Sequence, residues 1–166
     1  NKESLEQYFN NAIAADPTFP APYLELFNYY SNRDVVRAKG YLDDFLKYAD
    51  KDPLNDFFYA EYLFRAGKYS ESLAKAKEIE ASAGLAAAPR LSLLYAYNYD
   101  RLGDSVAARD NVIKFFDAKL DIQSQDYELA VKLLSKFPGR EAQTVGYLEQ
   151  AIGNDTSRVN KLNYMN

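Results

Sequence analysis

The chain has 166 residues, 48% apolar and 27% charged, with a formal net charge of −4. It contains neither cysteine nor histidine, which removes disulfides, thiolate nucleophiles, imidazole bases and the usual zinc ligands together. The acidic balance, with basic residues interleaved among acids as at Arg33-Asp34 and Lys75-Ala-Lys77-Glu78, argues against a nucleic-acid face, and no apolar run approaches the roughly 20 residues of a membrane-crossing helix.

At the start of the chain, Leu5, Tyr8, Phe9, Ala12 and Ile13 fall at i, i+3, i+4, i+7 and i+8, one stripe of a helix. This predicts a helix over 3–15, ended by Asp16-Pro17. Helices follow over 20–31 and 35–49, the second capped by Asp34, whose carboxylate can accept free backbone N–H groups. Two more are expected over 54–66 and 69–82, separated at Gly67. The next pair, 90–102 and 105–119, is separated at Gly103 and capped by Asp104. Leu91, Tyr95, Tyr99 and Leu102 form a stripe on the first of these. The last pair covers 125–136 and 140–153 around Gly139, and a further helix is expected over 158–166. Nowhere does a sustained two-residue alternation bounded by turns predict a strand.

The punctuation is periodic. Pro17, Pro53 and Pro89 recur every 36 residues, and so do Gly67, Gly103 and Gly139. Proline suits the start of a helix, and glycine ends one by taking a positive φ. The repeating unit is therefore helix, tight turn, helix, loop. A hairpin of this size cannot bury its apolar face alone; stacked neighbours do it together. The expected architecture is all-α, an α-α superhelix forming a single repeat domain over 1–166. It comprises a half repeat 1–17, repeats at about 18–52, 53–88, 89–122 and 123–156, and the start of another helix over 157–166. Both ends read as cuts through a longer array or as a missing cap.

These residues resemble the tetratricopeptide repeat (TPR). The run Leu5-Glu-Gln-Tyr8-Phe9-Asn-Asn-Ala12-Ile13-Ala-Ala-Asp16-Pro17 is similar to the second helix of that repeat and its closing Asp-Pro. Tyr59-Ala60, Leu63, Ala66-Gly67-Lys68-Tyr69 and Ala76 follow the pattern in the second repeat. Tyr95-Ala96, Tyr99, Leu102-Gly103-Asp104 and Ala108 follow it in the third. The fourth has Leu129-Ala130, Leu133 and Tyr147-Leu148-Glu-Gln-Ala151-Ile152. Two repeats depart from it: the first has Phe27 where a small residue belongs and Ser31-Asn32-Arg33-Asp34 in place of the turn glycine, and the fourth has a turn about two residues longer, through Pro138-Gly139. The richness in Tyr and Asn is similar to TPR proteins of bacterial cell envelopes, which implies a periplasmic or envelope location.

No catalytic constellation accompanies the repeat. Asp43 and Asp44 are helix neighbours and point to different faces. Asp50-Lys-Asp52 lacks the glycine and ligands of a calcium loop, since Pro53-Leu54 follow. There is no glycine-rich phosphate loop, and nothing calls for a metal or cofactor. The expected role is a scaffold binding a protein or peptide, without nucleic acid or membrane insertion. The alternatives are a helical accessory region of a larger enzyme or envelope transport assembly, and self-association through terminal helices.

The resemblance implies that the first helix of each repeat lines a concave groove. Carried over position by position, it gives Leu24, Asn28, Ser31 and Asn32, then Phe57, Glu61, Phe64 and Arg65, then Leu93, Tyr97, Asp100 and Arg101, and finally Tyr127, Val131 and Leu134. The central candidates are Asn28, Asn32, Phe57, Glu61, Phe64, Arg65, Tyr97, Asp100 and Arg101. Phe57, Phe64 and Tyr97 read equally as packing residues or as an apolar groove floor. Arg65 and Arg101 read as solvated charges, paired with Glu61 or Asp100, or as a clamp on a partner. Leu24, Phe57, Leu93 and Tyr127 stand where chaperone-binding members hold a carboxylate, which points to an apolar or mixed peptide instead. Gly40-Tyr41-Leu42 and Gly146-Tyr147-Leu148 occupy matching places in second helices and predict close helix approach there, so that Gly40→Leu overpacks.

Overall fold

The computed structural model describes residues 2–120, 122–150 and 153. Among these residues all regular structure is helical and no strand occurs. The elements are α1 (Lys2–Ala15), α2 (Ala21–Tyr30), α3 (Val35–Tyr48), a 3-10 turn (Pro53–Asn55), α4 (Asp56–Arg65), α5 (Tyr69–Ala83), α6 (Leu91–Leu102), α7 (Ser105–Ala118) and α8 (Ser124–Leu134). A further helical stretch covers 141–150. The helix expected over 158–166, and the end of that over 140–153, lie outside the described residues.

The local signals act as their chemistry requires. Asp34 accepts the Arg37 N–H at 2.9 Å and Asp104 accepts that of Ala107 at 3.0 Å, capping α3 and α7. Gly67, Gly103 and Gly139 have φ of 77°, 84° and 81°, a region that costs a residue with a Cβ. The turn after α2 closes without glycine. The amides of Arg33 and Asp34 both donate to the Tyr30 carbonyl at 2.8 Å, and the Ser31 hydroxyl donates to the Phe27 carbonyl at 2.6 Å. Before α4 the chain forms a 3-10 turn, because the Asp52 carboxylate accepts the Leu54 N–H at 2.9 Å and favours the tighter winding.

The chain divides into two compact units, Asn1–Ala88 and Pro89–Asn166, at the border between the second and third repeats. In the first unit α2 packs on α3 and α4 on α5. Tyr23, Leu26, Phe27 and Tyr30 of α2 meet Ala38, Leu42 and Phe45 of α3. Phe58 of α4 sets its ring edge to face against Phe27 (6.3 Å) and Phe45 (5.6 Å), joining the next hairpin. Full burial of one such ring contributes about 1.5–3 kcal/mol. Helix α1 is attached through Phe9 and Ile13 and through Glu6, which accepts the Tyr30 hydroxyl at 2.5 Å and pairs with Arg37.

In the second unit α6 packs on α7 and α7 on α8. The core holds Leu93 and Ala96, then Ala108, Val112, Phe115 and Phe116, then Leu129, Ala130 and Leu133. The repeat is visible in the packing. Ala60 and Ser72 of the α4–α5 hairpin, and Ala96 and Ala108 of the α6–α7 hairpin, hold matching positions 36 residues apart, and all four are fully excluded from solvent. Ser72 donates its hydroxyl to the Ala60 carbonyl at 2.8 Å, a contact that only small residues allow. This is a helical-repeat-like all-α architecture. No described helix is long and apolar enough to cross a membrane.

The glycine expectation is corrected. A Cβ placed on Gly40 or on Gly146 meets nothing within 4 Å. The contact stripe of α3 runs through Ala38, Leu42 and Phe45, and Gly40 lies two residues off it, about 200° around the helix, on the exposed side. Gly40→Leu therefore overpacks nothing.

Candidate functional site

The first helices of successive repeats touch one another within each unit. In unit 1, Arg65 of α4 donates to the Asn32 amide oxygen after α2 at 2.5 Å. The same guanidinium lies 3.8 Å from Glu61, one helical turn back. Asn28 is exposed on α2. Phe57 and Phe64 of α4 are half-buried, and Phe64 packs on the Tyr69 ring at 5.5 Å. Asn32, Glu61 and Arg65 thus form one polar group spanning two repeats.

In unit 2, α6 and α8 meet in the same manner. Asp100 receives Lys136 at 3.1 Å and Lys132 at 3.4 Å. Burial raises the Asp100 pKa, but the two ammonium groups outweigh it and hold the carboxyl below its ordinary range. Two cations on one carboxylate leave a positive charge in excess. Arg101, next in the chain, is exposed. Tyr97 is half-buried against the core, and burial, then the Asp126 charge, pushes its hydroxyl pKa up.

The remaining groove positions divide by burial. Leu93 and Leu134 are enclosed in the core, and Ser31 is buried with its hydroxyl committed to Phe27, so none of the three offers surface. Leu24, Tyr127 and Val131 are half-buried, with Tyr127 turned toward the rings of Phe116 and Tyr147. Lys132 and Lys136 were not among the expected residues. The 36-residue period signals one of them, because Asp100 advanced by one repeat is Lys136.

A second link across one period is structural. Arg90, just before α6, bonds both carboxylate oxygens of Asp126 in α8, at 2.9 and 3.1 Å. Among the described residues no cluster of carboxylates could hold a metal ion. No protein-family model matches the chain, and neither a curated protein nor a solved structure matches it.

Proposed function

We propose that the chain is a tetratricopeptide-like repeat, a right-handed superhelical solenoid, that serves as an interaction scaffold rather than as an enzyme. In this reading a protein or peptide partner lies along the first helices of the repeats. The observation that carries it is the pairing of polar side chains between successive first helices, the exposed Asn32 with Arg65 in one unit and the half-buried Asp100 with the exposed Lys136 in the other. Unit 1 thereby offers amide, carboxylate and cationic groups beside the half-buried Phe57 and Phe64, and unit 2 offers carboxylate and cationic groups beside the half-buried Tyr97. That mixture suits recognition of peptide backbone together with apolar side chains.

The test is affinity capture from a native lysate with the wild type and with Arg65→Glu/Arg101→Glu, both shown by circular dichroism to be folded. Both arginines are exposed, so their reversal spares the core. Loss of a specific partner in the variant supports the reading. Equal capture by both proteins moves the interaction surface off the first helices.

A further inference from the structure

We draw no further inference here: the strongest candidate, the apolar face of α1 that exposes Leu5 and Tyr8, has nothing in the structure to show what covers it.

Discussion

Arg90 and Asp126 stand 36 residues apart, one repeat, and meet through two hydrogen bonds of 2.9 and 3.1 Å. Asp126 is 1% exposed and also accepts the Gln123 N–H at 2.8 Å, so the same carboxylate caps α8 and ties it to the start of α6. Arg90→Ala would leave that buried carboxylate without its cation, at a cost of about 3 kcal/mol in urea unfolding. Arg90→Lys should recover only part, since an ammonium does not reproduce the two parallel bonds. A loss below about 0.5 kcal/mol would mean that the pair behaves as a surface contact.

The small residues between paired helices make a second prediction. Ala96 is fully buried in the α6–α7–α8 core. Ala96→Leu inserts three carbons where two helices approach, and should destabilise by about 1–3 kcal/mol. The matching change at Ala60 also displaces the Ser72 hydroxyl from its carbonyl acceptor. Unfolding midpoints equal to wild type would show that the hairpins have room to spare.

Two substitutions should stabilise the protein. Gly40→Ala places a methyl group in open space on an exposed helix face, and should add roughly 0.5–1 kcal/mol from helix propensity. Lys119→Gly relieves a left-handed residue and should add about 1 kcal/mol. Differential scanning calorimetry reads both as a rise in Tm; a fall in either case would show an interaction not accounted for.

Stability should fall at both ends of the pH scale through one cluster. The Tyr30 hydrogen bond, followed by Arg37, lowers the Glu6 pKa against the opposing effect of burial. A carboxyl whose folded pKa is depressed contributes stability that is complete above the ordinary carboxylate range and lost as pH falls through the folded value. The Asp100 carboxyl follows the same rule in unit 2. Tyr30 is pushed up to about 12 by burial and by Glu6. The folded state keeps a proton that the unfolded chain gives up, so stability declines as pH rises from the usual tyrosine range toward that value. Tyr30→Phe should flatten both limbs, and Glu6→Gln chiefly the acid one, in Tm measured against pH by circular dichroism. Unaltered slopes would contradict the assignment.

The helix order was legible because its signals are local. Asp34 and Asp104 cap the helices that follow them, and the periodic glycines take the positive φ their positions imply. What the sequence did not disclose depends on which side of a helix faces a neighbour. Gly40 precedes Tyr41 and Leu42, and only packing shows that the contact stripe passes through Ala38 and Leu42. Leu93 and Leu134 are apolar in helices that are apolar on several sides, and their enclosure is a tertiary fact. Asp126 reads in sequence as an ordinary solvated acid; its burial depends on an arginine one repeat away. Of the exposed face, Asn32 with Arg65 and Asp100 with Lys136 both join residues about one repeat apart, so the period was the stronger guide to it than residue type.

The first-helix face is tested most directly by hydrogen–deuterium exchange of the chain with and without its captured partner. The account predicts added protection on α2, α4, α6 and α8, centred on the segments that carry Asn32, Arg65, Asp100 and Lys132. Protection confined to α3, α5 and α7, with the first helices unchanged, would contradict it.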